Sequence, residues 1–346
     1  MMRAALAMSL PTYDRIVDTS FLDRLSRSVD LAPGVLTEFT SPAALASLAD
    51  VDVLVTGWGC PVLDAAAVAA APRLRAVVHT AGSVRGHVTP AVWERGIVVS
   101  SVAAQNAVPV AEFTLAVVLL AGKDVLGATR GYRARRARPG APDPLNPGNP
   151  GNSENPGNPR NLGNYGATVG ILSASLVGRR LLELLRPFDL ELLVHDPYVP
   201  DADLRALGAE PVGLLELAER SDVFSIHTPL LPDTRGLVDA RVLAALRDGT
   251  TLVNTARGAV VDAAALEAEL RTGRFTSVLD VTDPEPLPAD SPLWDLPNVV
   301  LTPHLAGSQG NELRRLTAAA AAEVDRLAAG LPLHHPVPHP ALSRTA

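Results

Sequence analysis

The sequence has little of what would identify several other classes of protein. Its 346 residues include a single cysteine, Cys60, which excludes an internal disulfide and fits a reducing compartment. The net charge of −7 argues against binding to the phosphate backbone of nucleic acids. No apolar run is long enough to cross a membrane, the best one being 113–122. We therefore expect a soluble, cytoplasmic protein that binds neither nucleic acid nor membrane.

Short apolar runs alternate with helical patterns along most of the chain. A composition of 47% hydrophobic and 19% charged residues is that of a globular protein, and the length allows two domains. In the first third the apolar runs lie at 4–10, 35–39, 51–56, 74–79 and 97–100. Later runs lie at 222–228, 250–256, 275–281 and 298–304, with helical patterns at 241–246, 263–270 and 311–329. This alternation predicts an α/β protein with two doubly wound parallel sheets.

Three segments depart from the alternation. Residues 106–120 predict one long helix, apolar over most of its circumference, buried at a domain or subunit boundary. Residues 139–164 are rich in asparagine, proline and glycine, and we expect an exposed, mobile insertion without chemistry. The tail contains His334, His335 and His339, but prolines interrupt their spacing. A solvated tail is the better interpretation, and no metal site is expected.

Residues 167–198 predict one strand, turn, helix, strand unit that closes on Asp196. In a dinucleotide site, a G-x-G-x-x-G turn lets the backbone approach a pyrophosphate at a helix N-terminus, and a later acid binds the ribose hydroxyls. The three glycine positions of this turn hold Ser173, Ser175 and Gly178. Asp196 lies 18 positions after Gly178, close to the separation of about 20 found in such sites.

The two serines weigh against a nucleotide site in this turn. A serine at positive φ costs about 1–2 kcal/mol, and its Cβ keeps a phosphate further away. The serine hydroxyl can compensate by donating a hydrogen bond to a phosphate oxygen, and the helix N-terminus still supplies amides. Taken alone, the stretch fits a dinucleotide site and a ligand-free βαβ unit about equally well.

Polar side chains follow three predicted strands of the second half. Arg257 follows the strand at 250–254, Asp280 ends the next strand with Glu285 in its loop, and His304 follows the last strand. Ligands of open α/β sheets bind beyond the carboxyl ends of the strands. A guanidinium can hold the carboxylate of a 2-oxo acid, an imidazolium can give a proton to the developing alkoxide, and a carboxylate can orient that imidazole.

Several blocks of sequence resemble the D-isomer-specific 2-hydroxyacid dehydrogenases, the family of glycerate, phosphoglycerate and D-lactate dehydrogenases. The blocks are NAVPVAEFT at 106–114, the unit ending in HDPY, SIHTPLLPDTRGLV at 225–238, NTARGAVVD at 254–262, LDVTDPEPLP at 279–288 and NVVLTPHLAG at 298–307. The resemblance implies a Rossmann coenzyme domain at 106–307, inserted into a flavodoxin-like substrate domain formed by 1–105 and 308–346. It also implies a cleft between the domains and a homodimer that packs through the coenzyme domain.

The resemblance implies roles for individual residues. Arg257, Glu285 and His304 match the catalytic set, with His304 as the acid or base. Cofactor contacts are implied at Ser173, Ser175, Leu176, Val177, Gly178, Asp196, His227, Thr228, Thr255, Ala256, Asp280 and Gly307. The resemblance also implies that backbone amides at Ala81, Gly82, Ser83 and Val84 face the substrate carboxylate. We interpret Asn106 as a domain-boundary residue in contact with the substrate or the nicotinamide. An acid at position 196 repels a 2′-phosphate and therefore favours NAD over NADP.

The sequence thus predicts an NAD-dependent oxidoreductase that interconverts a 2-oxo acid and a D-2-hydroxy acid. Two alternatives remain open. The serine turn is also compatible with a catalytically impaired relative that senses nucleotides or acts as a scaffold. A relative that oxidises formate or phosphite is the other, although formate dehydrogenases of the superfamily carry glutamine where Glu285 stands. The substrate side chain is not specified by these residues.

Overall fold

A computed structural model describes residues 1–136 and 163–339 and divides the chain into two units. Unit 1 comprises Met1–Pro109 and Ser308–Ala346, and unit 2 comprises Val110–Gly307. The sequence placed the same divisions after residues 105 and 307, so the first structural boundary falls four residues later. Of the insertion expected at 139–164, residues 139–162 lie outside the described part of the chain.

Helices and strands alternate along most of the described chain. The elements of the first 121 residues are β1 (Arg3–Ala7), α1 (Leu10–Ile16), α2 (Thr19–Ser28), β2 (Asp30–Leu36), α3 (Pro42–Ala49), β3 (Val53–Thr56), α4 (Ala65–Ala70), β4 (Ala76–His79), α5 (Pro90–Glu94), β5 (Val98–Ser101) and the long helix α6 (Ala103–Ala121). Those that follow are α7 (Val125–Arg135), β6 (Ala167–Leu172), α8 (Leu176–Leu185), β7 (Leu190–His195), α9 (Asp201–Ala206), β8 (Glu210–Pro211), α10 (Leu214–Arg220), β9 (Val223–Ile226), α11 (Ala240–Ala245), β10 (Thr251–Asn254), α12 (Ala263–Arg271), β11 (Thr276–Leu279), β12 (Val299–Leu301) and α13 (Leu313–Ala328).

The described residues of unit 1 form a five-stranded parallel sheet in the order β2-β1-β3-β4-β5. This order is the doubly wound arrangement of flavodoxin-like domains. Alternate residues of the strands pack into two separate hydrophobic cores, one on each face of the sheet. Leu54, Val77 and Val99 face one of them, whereas Val55 and Val78 face the other, which α13 covers. Both faces of the sheet are therefore buried, as the near-continuous apolar strands predicted.

The described residues of unit 2 form a seven-stranded parallel sheet in the order β12-β11-β10-β9-β6-β7-β8. Six of these strands reproduce the Rossmann order, and β12 extends it at one edge. The order reverses between β6 and β9, and at such a switch point an open α/β sheet binds its ligand outside the carboxyl ends of the strands. The predicted fold class of two doubly wound parallel sheets is confirmed.

Two predicted boundaries were wrong for identifiable reasons. The strand predicted at 35–39 lies at Asp30–Leu36, where Pro33 and Gly34, with φ +79°, accompany a shift of register against β1. It is an edge strand, where proline is tolerated and half-exposed positions weaken the apolar pattern. Within the unit 167–198, the helical spacing of leucines and charges over 176–188 predicts a helix that reaches residue 188. The helix ends at Leu185, because Pro187 has no N–H with which to continue the helical hydrogen bonds.

The apolar helix predicted at 106–120 is α6, which starts three residues earlier and contains Pro109. By length and composition alone it could cross a membrane, a test that core helices of globular proteins also pass. Its Ala111, Val117 and Val118 are buried in a core of unit 2, whereas Leu120 is 41% exposed. The expectation of a buried helix is therefore correct for one face only.

The C-terminal tail is irregular and mostly exposed, as expected, but its backbone is attached to unit 1. The N–H groups of His334 and His335 donate to the buried Glu323 carboxylate of α13. The N–H of Ser101 donates to the His335 carbonyl at 3.1 Å, and the N–H of Val337 donates to the Val99 carbonyl at 2.8 Å. The tail therefore extends the β5 edge of the unit 1 sheet.

Candidate active site

The residues predicted to be catalytic follow neighbouring strands of unit 2. Arg257 lies three residues after β10, Asp280 directly follows β11, and His304 lies three residues after β12. These strands pair in parallel, β10 with β11 and β11 with β12. Because parallel strands end at the same edge of a sheet, the loops that carry these side chains are adjacent.

His304 and Glu285 form a direct pair. The Nδ1 atom of His304 lies 2.7 Å from Oε1 of Glu285, and the two side chains are 48% and 43% exposed. With Nδ1 engaged by a carboxylate, the proton sits on that nitrogen in the neutral ring. The Nε2 atom has no hydrogen bond to any described residue, so it is available to a substrate oxygen.

The loop that carries His304 is anchored by Asp280. One carboxylate oxygen accepts from Thr302 Oγ1 at 2.5 Å and from the Leu305 N–H at 2.8 Å, and the other accepts from the Ala306 N–H at 2.9 Å. The Asp280 carbonyl accepts from the N–H of His304 itself, which has φ +50°. Asp280 is buried. The predicted cofactor residue thus also fixes the backbone of the predicted acid-base residue.

Arg257 lies beside the same pair. Its Nη1 donates to the Ala256 carbonyl at 2.6 Å, and Asn254 Nδ2 donates to the Arg257 carbonyl at 3.0 Å. Burial lowers the pKa of the Arg257 guanidinium, and the negative charge of Glu285 opposes that shift. Glu285 therefore lies within electrostatic range of the guanidinium. The structure therefore brings the cation, the carboxylate and the imidazole together at one edge of unit 2.

Two residues that matter here were not predicted. Thr302 donates to Asp280, and a hydroxyl two residues before the histidine was a visible sign of it. At Gly258, an added Cβ would lie 2.0 Å from the carbonyl carbon and oxygen of Thr282. The loop after β10 therefore packs directly on the loop that carries Glu285. A glycine immediately after Arg257 was the sequence feature that indicated this close approach.

The turn between β6 and α8 has the backbone of a glycine-rich turn without two of its glycines. Ser173 has φ +80°, the conformation that its position was expected to require, whereas Ser175 has φ −61° and caps α8. An added Cβ at Gly178 would lie 2.1 Å from the Ser173 carbonyl oxygen. Helix α8 therefore packs against the end of β6 as closely as a dinucleotide turn demands.

The serine hydroxyls are used inside the protein, and the expectation that they donate to a phosphate does not match this arrangement. Ser175 Oγ donates to the His227 carbonyl at 2.9 Å and accepts from the Gly178 N–H at 3.4 Å. Ser173 Oγ donates to Asp196 Oδ2 at 3.1 Å, and the Ala174 N–H donates to the same oxygen at 2.9 Å. The hydroxyl groups were expected to compensate for lost glycines, but they stabilise the turn itself.

The helix N-terminus still fits a diphosphate. The N–H groups of Ser175, Leu176 and Val177 donate to no described residue, and Leu176 is exposed. Free amides at the positive end of a helix dipole form a site for anions. The residues present therefore fit a dinucleotide, with amides for its phosphates and Asp196 for its ribose.

The remaining predicted cofactor residues follow the strand ends next to this turn. His227 is buried, which lowers its pKa to about 3, and its Nε2 lies 2.8 Å from Ser225 Oγ. Thr228 Oγ1 donates to the Leu172 carbonyl at 3.3 Å, and Thr255 Oγ1 lies 3.3 Å from Thr114 Oγ1. The Ala256 N–H donates to Asn254 Oδ1 at 3.0 Å, and Gly307 ends unit 2.

The predicted substrate residues belong to unit 1. The loop 81–84 follows β4, and Ser101 Oγ donates to the carbonyls of Ala81 and Gly82 at 3.0 and 2.5 Å. The N–H groups of Ala81, Gly82, Ser83 and Val84 donate to no described residue. Asn106, on α6, accepts from the Ser308 N–H at 3.2 Å through Oδ1. The first two carbonyls of the loop are thus bound by Ser101, and its four amides are open to a carboxylate.

Comparison with known sequences agrees with this geometry. Residues 149–306 match the sequence model described as D-isomer specific 2-hydroxyacid dehydrogenase, NAD binding domain. The chain is 31% identical over 265 residues to D-3-phosphoglycerate dehydrogenase of Mycobacterium leprae, which covers 76% of this chain and 47% of that protein. It is 39% identical over 144 residues to (S)-sulfolactate dehydrogenase of Chromohalobacter salexigens, covering 41% of this chain and 47% of that one. The chain thus spans about half the length of these curated relatives.

Two solved structures share the fold over nearly the whole chain. A protein of Thermus thermophilus superimposes with a TM-score of 0.73 at 27% identity, covering 97% of this chain and 100% of that one. The D-mandelate dehydrogenase of Rhodotorula graminis superimposes with a TM-score of 0.75 at 22% identity, covering 97% of both chains. The second likeness, at that identity, concerns the fold alone.

Proposed function

Because the chain belongs to the family of D-isomer-specific 2-hydroxyacid dehydrogenases and carries that family's NAD binding domain, we propose that it interconverts a 2-oxo acid and a D-2-hydroxy acid. The cofactor is NAD, which supplies or accepts the hydride when bound. The observation that carries the proposal is the 2.7 Å contact between His304 Nδ1 and Glu285 Oε1 with Arg257 beside it. These three groups are what reduction of a ketone next to a carboxylate needs.

Each residue has a separate task in this proposal. His304 gives a proton from Nε2 to the substrate oxygen during reduction and takes it back during oxidation. Glu285 holds Nδ1, orients the ring and stabilises the positive charge of the imidazolium. Arg257 binds the substrate carboxylate and polarises the ketone. We assign further contacts with the substrate carboxylate to the free amides of the loop 81–84 and to Asn106.

A panel of 2-oxo acids tests the activity. Glyoxylate, hydroxypyruvate and pyruvate are offered with NADH, and the absorbance of NADH is followed. We expect oxidation of NADH with at least one of them. The variant Arg257→Ala should lose activity by about a hundredfold or more, since it removes the carboxylate and ketone clamp, while the dissociation constant of NADH stays the same. Unchanged turnover in this variant would remove Arg257 from the mechanism.

One observation favours a second candidate, a nucleotide-binding relative without turnover. Both serine hydroxyls of the turn are bound within the protein, and one of them occupies the acid meant for the ribose. Titration with NADH, followed by quenching of tryptophan fluorescence, separates the two functions. Binding of NADH without its oxidation by any 2-oxo acid would favour the sensing or scaffolding function. A formate- or phosphite-oxidising activity is tested by the same assay run with NAD and those anions.

We further propose that the chain is a cytoplasmic homodimer that packs through unit 2. The exposed stripe of α6 formed by Glu112, Ala116 and Leu120 supports a protein contact, since Leu120 is an exposed apolar side chain on a largely apolar helix. Light scattering after gel filtration should give twice the chain mass of 36.2 kDa, and Leu120→Glu should reduce it to that mass. Fractionation of the producing cells tests the location.

A further inference from the structure

Asp196 is already engaged by three donors before any ribose is present. Its Oδ2 accepts from the Ala174 N–H at 2.9 Å and from Ser173 Oγ at 3.1 Å, and its Oδ1 accepts from the Tyr198 N–H at 2.9 Å. A carboxylate offers about four acceptor positions on its two oxygens. Two of the three donors are backbone amides of the turns that follow β6 and β7. The third donor is a side chain that this sequence adds.

The added donor changes what the acid can offer to a cofactor. An adenosine ribose binds such an acid by donating from its 2′ and 3′ hydroxyl groups, and two donors need two acceptor positions. Among the described residues, the three donors leave Asp196 about one. The backbone of Ser173, with φ +80°, directs its Cβ so that the hydroxyl lies 3.1 Å from Asp196 Oδ2. Ser173 is therefore positioned to retain this hydrogen bond.

We propose that the Ser173 hydroxyl competes with the adenosine ribose of NAD(H) for Asp196, so that Ser173 sets the cofactor affinity of this chain. The inference rests on the proposed function, since it assumes that NAD(H) binds at this turn. It adds a chain-specific determinant of affinity to that function. The competition acts on cofactors with a free 2′ hydroxyl. NADPH keeps only the 3′ hydroxyl as a donor, for which the one remaining acceptor position suffices, and its 2′-phosphate is repelled by the acid.

Two substitutions separate the hydroxyl from the strained backbone. Ser173→Ala removes the hydroxyl and keeps the Cβ at positive φ, whereas Ser173→Gly removes both. We expect both variants to bind NADH and ADP-ribose about threefold to tenfold more tightly, the value of one net hydrogen bond, in isothermal titration calorimetry. The affinity for NADPH should change by less than about twofold. Its 3′ hydroxyl needs only one acceptor position, and Asp196 offers that position with or without the Ser173 hydroxyl.

A control tests whether the effect passes through Asp196. In the Asp196→Ala background, Ser173→Ala should leave the dissociation constant of NADH unchanged, since the two positions then no longer share an acceptor. A gain in affinity for Ser173→Gly alone would assign the effect to the backbone or the Cβ and overturn the proposal, as would unchanged or weaker binding in both variants. Failure of the unsubstituted chain and of both variants to bind NADH would overturn the proposed function as well.

Discussion

At the scale of single residues, the candidate site depends on groups that hold His304 from outside its own side chain. Glu285 fixes the ring through Nδ1, and Asp280 fixes the backbone on either side of the ring. A positive φ at His304 costs free energy and persists only where the surroundings enforce it, and the bonds to Asp280 provide that constraint. The imidazole is thereby presented with a free Nε2, the atom that the proposed reaction uses.

The pairing of Glu285 with His304 predicts the effect of removing one charge. Glu285→Gln keeps an acceptor for Nδ1 but no longer balances the positive charge that develops on the ring. We expect kcat for 2-oxo acid reduction to fall about tenfold to a hundredfold, with the NADH dissociation constant unchanged. Stopped-flow measurement of NADH oxidation, with separate NADH titrations, determines both quantities.

The same loop offers a matched control. Asp283 is also an exposed acid, but its partner is Arg235, at 3.5 Å, rather than the imidazole. Asp283→Asn should leave kcat within about twofold, because a surface ion pair of this kind contributes little. Equal losses in the two variants would show that the loop, and not the Glu285 charge, matters.

The residue types at the site could be predicted from the sequence, but their hydrogen bonds could not. Arg257, Glu285 and His304 follow strand ends in order, and parallel pairing alone brings strand ends together. The group that accepts the hydrogen bond of the Ser173 hydroxyl is set by the position of Asp196, which lies 23 residues away along the chain. Such a choice follows from three-dimensional placement, and no local pattern encodes it.

At the scale of elements, the unit formed by β6, α8 and β7 was predictable because its signals are local. The apolar run, the helical spacing and the acid that ends the unit all lie within 32 residues, 167–198. The two-residue strand β8, the polar helix α7 and the six-residue helix α9 were not predicted. They are too short or too polar for periodicity to stand out, and tertiary packing determines them.

The close approach of α8 to β6 predicts that Gly178 cannot be replaced. Gly178→Ala would place a Cβ 2.1 Å from a backbone oxygen, and backbone cannot rotate away as a side chain can. Because the helix must shift, we expect a loss of about 2 kcal/mol or more in unfolding free energy and weaker NADH binding. Urea unfolding and calorimetric titration measure the two effects.

Gly86→Ala provides the comparison for this substitution. Nothing lies within 4 Å of a Cβ built there, and its φ is not positive. The change should alter the unfolding free energy by less than about 1 kcal/mol, in the stabilising direction, because alanine restricts the unfolded chain. If Gly178→Ala were as mild as Gly86→Ala, α8 would not need its contact with the strand.

At the scale of the whole molecule, each unit has its own sheet and its own cores, so the units can respond differently to solution conditions. Unit 1 contains a buried pair of histidines. Thr56 Oγ1 lies 2.9 Å from His79 Nδ1 and 3.2 Å from His87 Nε2, and the two rings lie 4.6 Å apart. Burial lowers the pKa of His87 to about 4. The pKa of His79 is lowered well below its usual range, mainly by burial and in addition by the charge of His87.

These depressed values predict that unit 1 loses stability in mild acid. The pKa of His87 is about 4 in the folded chain and about 6.5 when it is exposed. Between those values the unfolded chain binds the proton more readily, so the stabilisation is complete above pH 6.5 and decreases as the pH falls towards 4. A pKa depression of that size lowers the free energy of unfolding by about 3 kcal/mol near pH 4 through His87.

Fluorescence can follow unit 1 separately, since Trp58 and Trp93 lie in it and the third tryptophan, Trp294, lies in unit 2. In a Trp294→Phe background, urea unfolding is measured from about pH 7.5 to about pH 4.5 with and without His87→Asn. The substitution removes one titrating group, so the free energy of unfolding should depend less steeply on pH, by up to about 1.4 kcal/mol per pH unit. Because acidic side chains titrate in both proteins alike, the difference between the two slopes reports His87 together with its effect on the neighbouring His79. Parallel pH profiles would mean that His87 is protonated as easily in the folded chain as in the unfolded one.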